Sequence, residues 1–302
     1  MESEAVSSEP TRRQRPLLRS LRRGLIGLLW ALAGVGLVVV MWELVKWVGT
    51  LTTLPFDSTD AAMPHVWDMI ATFGHPEVRG SDTSVLSAVV SATLQSLRLA
   101  LGGFAIGVGV GLLLAVIMQR FSFLERGLLP FVIASQTVPL IALAPLIVGI
   151  GNRISFGPFQ WGVSQSVMFI AAYLAFFPMS VGALRGLQAP SATMLELMRS
   201  YAASPNQTLV KLRFPASIPY LIPAMKVSAA SAVVGTVVAE ISAGMRGGIG
   251  RLVIEYAREA TAEPAKVFVA TLGAIVLGLL AAAFVTLLDV YLTRNLPKER
   301  LA

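Results

Sequence analysis

Few residues in this 302-residue chain could do chemistry on a substrate. It has no cysteine and only two histidines, His65 and His75. Without thiols there are no disulfides, thiolate metal clusters or cysteine nucleophiles. Two histidines ten residues apart fall short of a metal's ligand set, so they are expected to be solvated loop residues, and no metal site is expected. No H-E-x-x-H or G-x-S-x-G context occurs, and the glycines at 244–250 are no phosphate cradle, because G-x-x-x-x-G-K-[ST] is absent. The chain is therefore expected not to be an enzyme, to carry no cofactor and to bind no nucleotide. What remains are polar groups set in apolar stretches: Glu240, and Ser135-Gln136-Thr137 ahead of Pro139 and Pro145. A charge at the bilayer centre costs about 2.5–3.5 kcal/mol even on insertion scales, so such residues face protein or a water-filled path.

The elements that must position them are membrane spans. Hydrophobic residues make up 55% of the chain and charged ones only 14%, with a mean hydropathy of +0.72. Soluble domains carry about a quarter charged residues. A bilayer core of ~30 Å needs about 20 apolar residues per helix, and 24–42, 99–118, 128–151, 162–184, 220–239 and 267–288 meet that length. The expected fold is all-α: one polytopic domain of about six transmembrane helices over 24–293, with a basic arm at 1–23 and a tail at 294–302.

A net charge of +7 invites a nucleic-acid reading. The basic residues sit at span ends instead, as membrane sidedness requires, so no nucleic-acid partner is expected. The side holding Arg12, Arg13, Arg19, Arg120, Arg199 and Arg213 is the richer one; the other holds Arg79, Arg153 and Arg246. Both termini are therefore expected in the cytosol, with anionic lipid holding the arm by about 1 kcal/mol per basic residue. TRRQRPLLRSLRRG at 11–24 has the look of an export signal, but the apolar run after it exceeds the ~7–15 residues of a signal. It is expected to be kept as the first span.

Between the spans, 46–85 is expected outside, with PHVWDMIATF (64–73) as an interfacial helix. A second outside segment, 244–266, carries Ile249, Leu252, Val253 and Tyr256 at helical spacing and is expected to form an amphipathic helix at the surface. Gly103, Gly107 and Gly111 recur every fourth residue on one face of the second span, where they allow a neighbouring helix close approach. Pro139 and Pro145 break the third span. Ser135, Gln136 and Thr137 before the break either line a translocation path or make interhelical hydrogen bonds. Glu240 is expected to be a structural or gating partner, with Arg98 as its counter-charge.

The polar segment 190–218 faces the cytosol in this topology. Thr193 with Glu196 reads as a capping box, and Ser204 with Gln207 as a second, with Pro205 at the first helical position. Two short helices are expected to meet near Ala203-Ser204, and Phe214-Pro215 to stop the second one. Met194, Met198 and Tyr201 share one side of the first helix, either for a partner's groove or for the underside of the membrane domain.

This segment resembles the cytoplasmic coupling motif of ATP-binding-cassette (ABC) importer permeases. That motif has Glu-Ala-Ala, a glycine three residues later, then nine residues, an aliphatic residue, any residue, Leu and Pro. It falls here on Glu196-Leu197-Met198, Ala202, Leu212 and Phe214-Pro215 with every spacing kept. Glu196 and Pro215 match in identity; Leu197, Met198, Ala202 and Phe214 depart, and Ala202 stands where glycine would ease the bend. VPLIALAPLIVGIG, KLRFPASIPYLIPAMKV and VVAEISAGMRGGIG are similar to other spans of that family, in the branch that imports nitrate, sulfonates, taurine, thiamine pyrimidine precursors or riboflavin.

The resemblance implies a type I importer permease in a bacterial inner membrane. It would pair with a second permease, most simply an identical chain, and receive solute from an extracytoplasmic binding protein. Two cytosolic ABC ATPase subunits would grip Glu196, Met198 and Tyr201, with Ser204-Pro205 fixing the angle of the helix pair. An ion-coupled secondary transporter and a non-transporting scaffold remain as alternatives. Against the former, ionisable residues lie toward span ends rather than at the midplane.

Overall fold

The computed structural model describes residues 15–51, 59–78 and 80–293; the first part of the basic arm and the whole tail at 294–302 lie outside the described residues. The chain is helical almost throughout: α1 (Arg15–Leu51), α2 (Val66–Thr72), α3 (Val85–Arg120), α4 (Ser122–Ala134), α5 (Leu140–Gly151), α6 (Val163–Gln188), α7 (Ala192–Ser200), α8 (Pro205–Thr208), α9 (Phe214–Ala243), α10 (Ile249–Arg258) and α11 (Pro264–Thr293). A two-residue hairpin, β1 (Ser155–Phe156) against β2 (Phe159–Gln160), joins α5 to α6. Among the described residues, five stretches are long and apolar enough to cross a membrane: Leu32–Leu51, α3, α6, Pro205–Ala243 and α11. Ser122–Thr137 and α5 together make a sixth, bent by 100°.

That bend falls at Pro139, one of the two prolines expected to break the third span at 128–151; Pro145 lies inside α5. The cause of the bend is local. The residue before a proline is driven from helical to extended backbone, and Val138 sits at φ −72°, ψ 125° with Pro139 at ψ 111°. A break at membrane depth frees backbone groups that lipid cannot satisfy. Here the Tyr173 hydroxyl donates to the Ser135 carbonyl, and Ser135 Oγ and Thr137 Oγ donate to the carbonyls of Val132 and Ala134 at 2.6 and 2.8 Å.

Two compact units divide the chain, Met1–Asp68 and Met69–Ala302. In the first, the loop after α1 folds back on that helix. Trp42 Nε1 donates to the Pro64 carbonyl at 3.0 Å, the Val66 amide donates to Glu43 Oε1 at 2.9 Å, and Lys46 pairs with Asp60. The hydrogen bond and charge of Lys46 hold the exposed Asp60 carboxyl below its ordinary value. His65 lies 2.7 Å from Glu43 and stacks on Trp67, so it belongs to a side-chain network rather than standing free in solvent. His75 is exposed.

In the second unit the core is a seam of small residues between α3, α6 and α9. Helices gain nothing hydrophobic by leaving lipid, so they hold together by close packing. A Cβ on Gly107 would stand 2.6 Å from the Ala172 carbonyl oxygen and 2.7 Å from the Ala175 Cβ. On Gly111 it would meet the Phe176 carbonyl oxygen at 2.6 Å, and Gly103 likewise faces Met168 and Ala171. The α6–α9 contact uses the same device, Gly186 against Ser217 and Tyr220, Gly182 against Ala224. The glycine stripe of α3 is thus the groove into which α6 fits. Gly107→Leu should cost about 1–3 kcal/mol or prevent assembly. Gly109→Leu, two residues on and with nothing within 4 Å of its Cβ position, should leave thermal unfolding of the purified protein near wild type.

Candidate coupling site and the buried carboxyl of α9

The polar segment forms a bent helix pair at the turn between α6 and α9. α7 starts at Ser191, whose side chain accepts from the Met194 amide. Thr193, expected to be the cap, lies inside the first turn instead, two residues past the cap that forms. The helix ends on two paired bonds, the Ala203 amide to the Met198 carbonyl at 3.0 Å and the Ala202 amide to the Arg199 carbonyl at 2.9 Å. This pairing requires a left-handed residue just past the cap. Ala202 supplies it at φ 49°, the only positive φ outside glycine among the described residues. The alanine therefore holds a left-handed backbone that glycine adopts freely, against a strain of about 1 kcal/mol.

α8 begins as its residues predict. The Ser204 amide donates to Gln207 Oε1 at 2.7 Å, the Gln207 amide donates back to Ser204 Oγ at 3.3 Å, and Pro205 occupies the first turn. The expected stop at Phe214-Pro215 does not occur. Phe214 is helical (φ −62°, ψ −51°), and the chain runs through a π turn at Leu209–Arg213 straight into α9. Pro215 has no N–H for the carbonyl four residues back, and its ring crowds that carbonyl. Widening the turn so that Phe214 N–H reaches Leu209 relieves both.

Arg213, inside that turn, donates from its guanidinium to the Leu187 carbonyl at the end of α6 at 2.7 Å. It thereby satisfies a carbonyl that the helix end leaves open and ties the two roots of the α7–α8 pair together. Leu212, Phe214 and Pro215 are half-buried at this root, and Leu209 and Phe214 pack on the core of Met118, Met179, Leu184 and Leu187. α7 presents the opposite character. Met194 is 51% exposed, Leu197 55% and Tyr201 77%, while Glu196 is exposed and Met198 half-buried. The bonded root thus carries an apolar ridge that the other described residues leave exposed.

Far along α9, Glu240 is fully buried. Its carboxyl accepts from Ser96 Oγ at 2.5 Å and from the Gly250 amide at 2.9 Å, and Ser96 Oγ accepts from the Ile249 amide at 2.9 Å. Glu240 and Ser96 jointly cap the N-terminus of α10. The expected partner, Arg98, is exposed, because two residues on from Ser96 the helix has turned it away. A Cβ on Gly248 would overlap the Glu240 carboxyl, so the glycines of 247–250 serve close approach. α10 is not loose at the surface. Ile249, Leu252 and Tyr256 bury its apolar side, and burial pushes the Tyr256 phenol up.

The other sequence candidates do not gather at this carboxyl. Ser135 and Thr137 are spent on their own helix end, whereas Gln136, Pro139 and Pro145 are exposed. Lys226 of α9 pairs with Asp289 of α11 at 2.9 Å, a link that nothing in the spacing announces across 63 residues.

Comparison with known proteins identifies the family of the chain. The family of binding-protein-dependent transport system inner membrane components matches residues 107–294. An aliphatic sulfonates transport permease by name, SsuC of Bacillus subtilis, is 25% identical over 96% of this chain and 95% of its own. The riboflavin transport system permease RibX of Chloroflexus aurantiacus is 29% identical over 81% of this chain and 82% of its own. A crystal structure of an amino acid ABC transporter with histidines superposes with a TM-score of 0.54 at 15% identity, covering 68% of this chain and 94% of that one, which bears on the fold alone.

Ala202→Gly should relieve the left-handed strain and raise stability by about 0.5–1 kcal/mol, whereas Ala202→Val should lower it, read as shifts in thermal unfolding. Glu240→Ala strands a buried hydroxyl and an amide at a cost of about 1–3 kcal/mol; Glu240→Gln, which keeps one acceptor oxygen, should cost less in the same assay. The chain belongs to the binding-protein-dependent transport system inner membrane components, the permease subunits of ABC importers.

Proposed function

We propose that α7 and α8 are the coupling helices through which cytosolic ABC ATPase subunits drive this permease. The observation that carries this reading is the exposed apolar ridge of Met194, Leu197 and Tyr201 on a helix whose root is bonded into α6 and α9. An amphipathic helix with an exposed apolar face suits a groove in a partner. Glu196, Met198 and Tyr201 make the contact, the Ser204-Pro205 cap and the Ala202 turn fix the angle, and Leu212, Phe214 and Pro215 pass the movement into α9. ATP is bound and hydrolysed by those partners, since this sequence has no phosphate-binding loop.

The same reading places 190–218 and both termini in the cytosol, and 46–85 and 244–266 outside. The membrane is a bacterial inner membrane. Two permeases, most simply identical chains related by a twofold axis, enclose the path. The bend at Ser135–Pro139 and the Glu240-capped α10 are its gate elements, because both are breaks in helix continuity held by hydrogen bonds that can be exchanged. A solute-binding protein delivers cargo from outside. Relatives named for sulfonates and for riboflavin resemble the chain to a similar degree, so the cargo is a small polar solute of that range.

Glu196→Arg with Tyr201→Ala, in the importer reconstituted in proteoliposomes, should cut ATP-driven uptake at least about tenfold while the permease still inserts; that corresponds to about 1.4 kcal/mol of lost coupling. Uptake at the wild-type rate would refute the assignment. Single cysteines at Ser204 and His65, placed in a chain with no other cysteine, should label from opposite membrane faces. Labelling from the same face would refute the topology.

A further inference from the structure

Behind the coupling element lies an excess of positive charge. A cleft of about 340 Å³ separates the end of α3 from the α7–α8 bend, and Arg120, Arg199 and Arg213 all line it. Gln119, Asn206 and Thr208 supply its other polar walls, and no Asp or Glu takes part. Among the described residues, no carboxylate lies within 4.0 Å of any of the three guanidinium groups. Arg213 spends one N–H on the Leu187 carbonyl; a guanidinium has five. Three like charges around one cavity repel each other unless an anion sits among them.

The position of the cleft narrows what that anion is. Arg120 is the last residue of the α3 span, and Arg213 precedes the first residue of α9. The cleft therefore opens where two membrane-crossing stretches end, on one side of the helix bundle, whichever way the protein faces. Its lining also includes Val116, Leu195 and Leu209, apolar surface that suits the glycerol and first methylenes of a lipid better than a hydrated free ion. Arginine forks match phosphate oxygens two at a time, and basic pockets between helices at the membrane surface hold anionic headgroups.

We propose that this cleft is a phosphate-binding site filled by the headgroup of an anionic phospholipid from the adjoining leaflet. The lipid bridges α3 to α7 and braces the coupling element from behind, on the side away from the Met194–Tyr201 ridge. The site depends on the membrane-spanning fold and the arginine positions. It stands whether or not α7 contacts an ATPase.

The test is titration of the full-length protein in phosphatidylcholine micelles with fluorescent phosphatidylglycerol. Wild type should bind it saturably. Arg120→Gln with Arg199→Gln should weaken binding about thirtyfold, near 1 kcal/mol for each charge, and Arg120→Lys with Arg199→Lys should keep most of it. Arg213 is left in place because it also anchors Leu187. Displacement by millimolar inorganic phosphate would uphold the site and reassign its source to free phosphate. No saturable binding to wild type above the phosphatidylcholine background would overturn the proposal, independently of any variant. Undiminished binding to the glutamine variant would overturn it too.

Discussion

Backbone-to-backbone contact between α6 and α9 is the constraint on which the rest depends. Gly182 and Gly186 bring α9 so near that a single added carbon would meet Ala224, Ser217 or Tyr220. At that distance side chains leave no slack, and the two helices cannot slide without breaking many small contacts together. The proposed coupling element grows from the ends of this pair. A force applied to α7 would therefore reach two spans at once rather than be absorbed by a loop.

The connection between pair and element is continuous in hydrogen bonds. Arg213 closes the gap between the end of α6 and the start of α9, and the π turn lets the chain enter α9 without a break at Pro215. At the other end of α9, Glu240 and Ser96 hold the first turn of α10. A tilt of α9 must carry α10 with it or exchange those bonds. Low-dielectric surroundings make either outcome abrupt, because an unpaired buried amide or hydroxyl is costly. The helix pair thus has a handle at one end and a bonded clasp at the other.

Much of this was legible in the sequence, for reasons that can be stated residue by residue. Ser204, Pro205 and Gln207 encode a cap through local bonds alone, and the structure forms it. Gly103, Gly107 and Gly111 encode a groove through spacing. Other features were hidden because the deciding partner is distant in sequence or because two local rules compete. Thr193 and Ser191 are both fair caps, and the Ser191 cap is the one that forms. Phe214-Pro215 ought to end a helix, yet packing of Phe214 on the core makes a widened turn the better solution. Glu240 finds Ser96 and two amides rather than Arg98, a choice fixed by helix rotation that no charge count reveals. Ala202 shows the reverse case, in which a residue of the wrong type still adopts the left-handed backbone because the paired bonds around it demand that shape.

In the proposed assembly the ridge of α7 lies in an ATPase groove and moves α6 and α9 together. The most direct measurement places a photoreactive amino acid at Leu197 in the assembled importer and identifies what it captures on illumination, with and without ATP. The account predicts a covalent adduct to the ATPase subunit whose yield changes with nucleotide. Capture of lipid or of the permease's own chain alone, in a complex that still hydrolyses ATP and transports, would contradict it.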